Sequence, residues 1–159
     1  VMLIKIGRGV GAGLITGSQP LLGSRFAAGE IGHVVVGTDG GPRCVCGKDG
    51  CLEAWLSVQR LTDAIAADPA AREELLRDAG TRMAVAIAPI VAALDLSEVV
   101  LSGPADLLAG SLIDAASATL RERTLDGVFD DVVIRLTSQD DIVLRGAAVM
   151  VLSGQLGVS

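Results

Sequence analysis

Through the first part of the chain, apolar residues run in short β-branched stretches punctuated by glycine. Val1–Ile6, then Val10–Thr16 after Gly7, Gly9 and Gly11, then Pro20–Leu22 and Val34–Val36 read as a meander of three or more strands. From Gly37 to Gly50 the apolar period stops. Five of the twenty glycines fall there, together with Pro42, Cys44 and Cys46, so this stretch is a loop, and a loop of that length needs something to hold it. From Leu52 the period turns helical through Leu56, Leu61 and Ile65. Asp68-Pro69 marks a break and a new start, because proline fits the first helical turn. A long helix then runs to about Leu94, with Leu75, Leu76, Ala79, Met83, Ile87 and Ile90 on one stripe, and Pro89 is expected to bend it or loosen one turn. Glu98–Ser102 reads as a short buried strand, Leu107–Leu120 as a helix, Val132–Leu136 as another strand and Ile142–Leu156 as a final helix.

After the meander the order is therefore helix, strand, helix, strand, helix. That is an α/β pattern, with parallel strands joined by a crossover and covered by helices. A length of 159 residues suits one domain or one lobe of a larger protein. Val1 opens inside a strand, so the expectation is a fragment whose upstream sheet lies outside this sequence. Half of the residues are apolar, yet only Phe26, Trp55 and Phe129 are aromatic, which leaves Ala, Val, Leu and Ile to build the core and excludes intrinsic disorder.

Charge narrows the partners. Thirteen Lys and Arg against nineteen Asp and Glu give a net charge of −6, which argues against a surface wrapped on nucleic-acid phosphates. The longest apolar run, Met83–Leu94, has twelve residues and is interrupted by Pro89, whereas a bilayer span needs roughly twenty. No membrane partner is expected. No basic leader followed by an apolar stretch opens the sequence, so cytoplasm is the expected location.

The chemistry is concentrated in one stretch. His33, Cys44, Cys46 and Cys51 are the only histidine and the only cysteines in the chain, and they fall within nineteen positions. Three thiolates and one imidazole complete the closed tetrahedral shell of a structural zinc ion, with no position left for an activated water. A disulfide would leave one cysteine over, and cytoplasmic thiols are normally reduced; incidental burial is the blander alternative. If a metal gathers His33 and Cys51, then Glu30 and Glu53 are drawn to one place, where carboxylates can accept hydrogen bonds from the vicinal hydroxyls of a polyol; each glutamate taken alone is a solvated surface charge. His33 then has one ring nitrogen for the metal and another for a ligand or a supporting partner. The glycine-rich Gly7-Arg8-Gly9-Val10-Gly11-Ala12-Gly13 follows one strand and enters another, so it lacks the helix N-terminus of a dinucleotide fingerprint. It is either a tight hairpin turn or an anion-binding nest of backbone amides.

Taken together, Gly7–Gly13, Gly29-Glu30-Ile31-Gly32-His33, and Cys44-Val45-Cys46-Gly47-Lys48-Asp49-Gly50-Cys51-Leu52-Glu53 resemble the ROK family of repressors, open reading frames and kinases. The resemblance continues through Val99-Val100-Leu101-Ser102-Gly103, which looks like the family's adenosine-side turn, to Arg145-Gly146-Ala147-Ala148. It implies an actin, hexokinase and Hsp70-type fold, of which residues 1–159 would form the C-terminal ribonuclease-H-like lobe, a mixed sheet with a zinc-binding loop at about 33–53. It implies His33, Cys44, Cys46 and Cys51 as zinc ligands, and Glu30, His33 and Glu53 as contacts to a hexose or N-acetylhexosamine. The family's catalytic aspartate belongs to an upstream Asn-Asp motif, and no such pair occurs here, so no catalytic residue is expected in this chain.

Two departures bear on kinase against regulator. ROK kinases usually carry Gly-Thr-Gly in the second phosphate loop, where this chain has Gly7-Arg8-Gly9, and Gly-Gly at the adenosine turn, where it has Ser102-Gly103-Pro104. Gly7, Arg8, Gly9, Gly11, Ser102 and Gly103 are therefore expected to be a vestigial nucleotide site, with ATP and Mg2+ as cofactors only if the kinase alternative holds. The resemblance favours a sugar-responsive transcriptional regulator. It would act as a homo-oligomer and meet DNA only through a winged helix-turn-helix ahead of the two lobes.

Overall fold

Strict alternation along β1 (Met2–Ile6) sends Met2, Ile4 and Ile6 into the core and leaves Leu3 and Lys5 on the opposite face. In the computed structural model, which describes residues 1–37, 40–139 and 141–148, β1 is the centre of a five-stranded mixed sheet. Its order is β3-β2-β1-β4-β5. β2 (Val10–Thr16) runs antiparallel to β1, and β4 (Glu98–Ser102) and β5 (Val133–Leu136) extend the sheet in parallel on the other side. Lys5 lies opposite Gly11 on one side and Ser102 on the other.

The meander has three strands, with its last strand earlier and shorter than expected. β3 is Gln19–Pro20, not Pro20–Leu22. Gly17 and Ser18 both take positive φ, 55° and 63°, the pair that a two-residue hairpin turn requires, and Pro20, which has no amide to donate, sits on an edge strand. Val34–Val36 is not a strand of the sheet. A 3-10 turn at Ile31–His33 redirects the chain, and the valines then pair with the returning cysteine loop: Val35 bridges Cys51, Val36 N donates to Gly50 O, and Leu52 N donates to Val34 O.

The helical stretch after Cys51 is broken once more than its periodicity suggests. α1 (Leu52–Leu56) ends at Ser57, whose extended backbone separates it from α2 (Val58–Ala67). The Asp68 side chain then accepts from the Ala70 and Ala71 amides above Pro69, starting a 3-10 turn that leads into α3 (Arg72–Leu94). Leu76, Ala79, Met83 and Ile87 of the expected stripe are buried, and Leu75 and Ile90 are half-buried. Pro89 lies inside α3 on its exposed face. The expected helix Leu107–Leu120 divides at Gly110, whose φ is +73°, into α4 (Ala105–Leu108) and α5 (Ser111–Arg123). α3 and α5 pack backbone to backbone: a Cβ on Gly80 would come within 2.1 Å of Leu112 O. After β5, residues 142–148 are helical, and the rest of the expected Ile142–Leu156 helix lies outside the described residues. Among the described residues no helix is long and apolar enough to cross a membrane.

Candidate metal and ligand site

The loop expected to need a tether is folded around its cysteines. Cys44 N donates to Lys48 O at 2.9 Å, Gly47 N to Cys44 O at 3.0 Å and Gly50 N to Pro42 O at 3.0 Å, so the chain doubles back between Cys44 and Cys51. The outcome is that one ligand atom from each of His33, Cys44, Cys46 and Cys51 lies within 4.8 Å of the others. His33 Nδ1 is 3.6 Å from Cys44 Sγ, and Cys46 Sγ is 3.6 Å from Cys51 Sγ. A tetrahedral ion with Zn–S bonds of about 2.3 Å and Zn–N of about 2.0 Å separates its ligands by roughly 3.5 to 3.8 Å. The donor set and its spacing therefore fit a divalent ion, and all three cysteines are free thiols.

Two of the thiols differ in their electrostatics. Burial, with the Cys46 and Cys44 sulfurs close by, pushes the Cys51 thiol up to about 12. The Lys48 backbone amide holds the exposed Cys46 thiol below its ordinary value. Buried Cys51 thus resists ionisation in the metal-free chain, and a divalent charge beside it would reverse that preference.

The second half of the site is built on backbone contact. Gly29 has φ +99°, and a Cβ there would fall 1.8 Å from Ala12 O; a Cβ on Gly32 would fall 2.0 Å from Val10 O. Only glycine lets the Gly29–His33 turn lie directly on β2, where Ala12 N donates to Gly29 O at 2.8 Å. From the other side, Glu53, in the first turn of α1, accepts from Val10 N through Oε2 at 3.0 Å, and Val58 N at the start of α2 donates to Gly7 O at 2.9 Å. The glycine-rich loop is thus held by both helices that follow the cysteine loop.

These contacts surround one open cavity of about 960 Å3. Glu30, His33 and Glu53 line it, and so do Gly7, Arg8, Gly9 and Gly11, so the residues expected for sugar and for phosphate share a single cleft. Ser102 and Gly103 do not line it. Ser102 is buried at the end of β4, and Gly103 packs under Ile6, where a Cβ would come 2.4 Å from Ile6 O. Pro104 starts α4, its carbonyl accepting from the Leu107 and Leu108 amides. Two contributors escape sequence reasoning: Lys5, whose only signal is its outward place in β1 opposite Gly11, and the helical segment 142–148, which supplies Ile142, Val143, Gly146 and Ala147.

The glycine loop, the Gly29–His33 turn and the cysteine loop lie within one matched region, since a model described as the ROK family covers residues 1–153. The chain belongs to the ROK family. This ROK chain is 29% identical over 164 residues to an N-acetylmannosamine kinase of Yersinia pestis (strain Pestoides F), a match covering 93% of the chain and 55% of that relative. Among solved structures, a ROK hexokinase from Thermus thermophilus superposes with TM-score 0.75 at 28% identity, covering 94% of this chain and 56% of that one. A ROK family transcriptional regulator described as a homologue of the E. coli MLC protein superposes with TM-score 0.74 at 22% identity over 85% of this chain and 41% of its own, a likeness of fold. The chain therefore spans about half the length of the relatives it matches.

Proposed function

We propose that this chain is the zinc-stabilised C-terminal lobe of a ROK transcriptional regulator, a sensor for a hexose or N-acetylhexosamine. Glu30, Glu53 and the free ring nitrogen of His33 would accept and donate hydrogen bonds to sugar hydroxyls. Zinc on His33, Cys44, Cys46 and Cys51 would keep that wall in register, acting as a structural ion with no open coordination position. The observation that carries the regulator reading is Arg8. It is exposed at the tip of the glycine loop and lines the cleft where a kinase of this family has a small hydroxyl residue. Pro104 adds to it, replacing a glycine-turn donor with a residue that has none.

In this reading the sugar binds between this lobe and the remainder of the protein, and shifts the balance between DNA-competent and DNA-released arrangements by its differential affinity for the two. DNA contact belongs to a domain outside the chain, and the lobe contributes to a cytoplasmic homo-oligomer. The kinase name of the Yersinia relative favours a second reading, the C-terminal lobe of an ATP-dependent sugar kinase. In that case the proton-accepting aspartate lies in the other lobe. A full-length preparation separates the two: fluorescence anisotropy on promoter DNA upstream of its gene, with and without hexoses, against a coupled assay for ATP-dependent hexose phosphorylation. Sugar-dependent DNA release without turnover is the expected result, and ATP-dependent turnover without DNA binding overturns it.

A further inference from the structure

We infer that Cys46 and Cys51 form a peroxide-reactive pair: a hydroperoxide oxidises Cys46, Cys51 closes the disulfide, and an ion held by the cluster is set free. The inference rests on the metal reading of the same four residues for its last step only. The three thiols are unequal in access. Cys46 is exposed and follows Val45, itself 91% exposed in the turn, whereas Cys44 and Cys51 are 5% and 0% exposed. A peroxide arriving from solvent therefore meets Cys46 first. The second sulfur is already in place, because Cys51 Sγ lies 3.6 Å from Cys46 Sγ.

Cys44 is the poorer partner. Only Val45 separates it from Cys46, and a disulfide across so short a ring forces the Cβ–S–S–Cβ dihedral away from its preferred range of about ±85–100°. Its backbone is also held, the amide donating to Lys48 O and the carbonyl accepting from Gly47 N, and its sulfur lies 3.6 Å from His33 Nδ1. Between Cys46 and Cys51 the chain runs Gly47-Lys48-Asp49-Gly50. Bringing the two sulfurs to about 2.05 Å takes a movement of roughly 1.5 Å. Gly47, at φ +93° with open space where a Cβ would stand, is placed to absorb it.

The chemistry balances with the peroxide as sole oxidant. The Cys46 sulfur attacks the terminal peroxide oxygen and the O–O bond breaks, which leaves a sulfenic acid on Cys46 and releases an alcohol, or water where the oxidant is hydrogen peroxide. The Cys51 sulfur then attacks the Cys46 sulfur: the S–S bond forms, the S–O bond breaks and water leaves. Two electrons pass from the sulfur pair to the peroxide. The two protons come from the thiols, or from solvent where metal-bound thiolates react. His33 and Cys44 then remain as the only donors of the cluster, too few to close a tetrahedral shell, so the ion dissociates.

Hydrogen peroxide titrated into the metal-loaded, full-length protein tests this, with released zinc read by a chromophoric chelator and cysteine pairing read by peptide mass spectrometry after alkylation. The expected result is one zinc released per Cys46–Cys51 disulfide, with that linkage at least tenfold above any other pairing, Cys44 still open to alkylation, and zinc uptake restored by dithiothreitol. Two variants locate the steps in metal-free protein whose fold is checked by circular dichroism. Cys51→Ser is expected to accumulate a sulfenic acid on Cys46, trapped by dimedone, and Cys44→Ser to form the disulfide as the parent does. Zinc retained with all three thiols reduced, under peroxide that oxidises free cysteine, overturns the inference and leaves the metal reading standing. A disulfide through Cys44, or Cys46 oxidised past sulfenic acid with no disulfide, also overturns it. The Cys46–Cys51 disulfide forming in protein that never takes up zinc supports the reactive pair and overturns the metal reading.

Discussion

The backbone amide of Val10 donates to Glu53 Oε2 at 3.0 Å, joining the glycine-rich loop to the first turn of the helix that leaves the cysteine loop. Glu53 is two residues from Cys51, one of the four candidate metal ligands, and lines the cleft. A single side chain therefore connects the metal loop, the phosphate-type loop and the proposed sugar wall. Glu53→Ala leaves the Val10 amide without its acceptor, and a loss of about 1 to 2 kcal/mol in unfolding free energy is expected from chemical denaturation. Glu53→Gln keeps an acceptor oxygen, so its stability should stay closer to the parent while sugar affinity drops at least tenfold in calorimetry.

Steric accounting separates Gly32, in the turn laid on β2, from Gly11, in β2 itself. Gly32→Ala drives a methyl group to 2.0 Å from Val10 O and is expected to cost about 3 kcal/mol or prevent folding, read from thermal melts. Gly11→Ala meets nothing within 4 Å and should leave stability within about 0.5 kcal/mol of the parent. Because its methyl group occupies the cavity floor, it should still weaken ligand binding.

Removing one exposed ligand tests the coupling between metal and cleft. Cys46→Ser is expected to lose the ion, as measured by plasma mass spectrometry, and to weaken sugar affinity while leaving DNA affinity in the absence of sugar unchanged. Unaltered sugar binding in a demonstrably metal-free variant contradicts the coupling.

The thiols also set a pH dependence. With Cys51 pushed up to about 12 from an ordinary 9, the metal-free chain holds that proton more tightly when folded than when unfolded. Its contribution to metal-free stability is present below pH 9 and lost as pH rises toward 12. Metal must displace this proton, so apparent affinity in competition with a chromophoric chelator should rise with pH between 6 and 8, with proton release seen as a buffer-dependent binding enthalpy.

Much of this site is legible before any coordinates, and the reason is physical. A closed tetrahedral shell needs four particular donors, and the chain contains only one histidine and three cysteines. The strands are legible as β-branched apolar runs between glycines, with β4 a continuous buried run, and the new start at Asp68-Pro69 follows from the fit of proline to a first helical turn. The break at Ser57 and the division at Gly110 are not visible in apolar spacing, because leucines continue on both sides of each. Val34–Val36 has strand composition, yet the turn laid on β2 by Gly29 and Gly32 carries it to the metal loop. Lys5 has no motif around it, and its place in the cleft comes from register opposite Gly11.

The central claim is that His33, Cys44, Cys46 and Cys51 hold one divalent ion that fixes Glu30 and Glu53 at the mouth of the cleft. X-ray absorption at the zinc edge on freshly purified, full-length protein tests it most directly. One zinc per chain with three sulfur neighbours at about 2.3 Å and one nitrogen at about 2.0 Å is the predicted spectrum. Metal-free protein in which all three thiols react freely with a thiol reagent contradicts it.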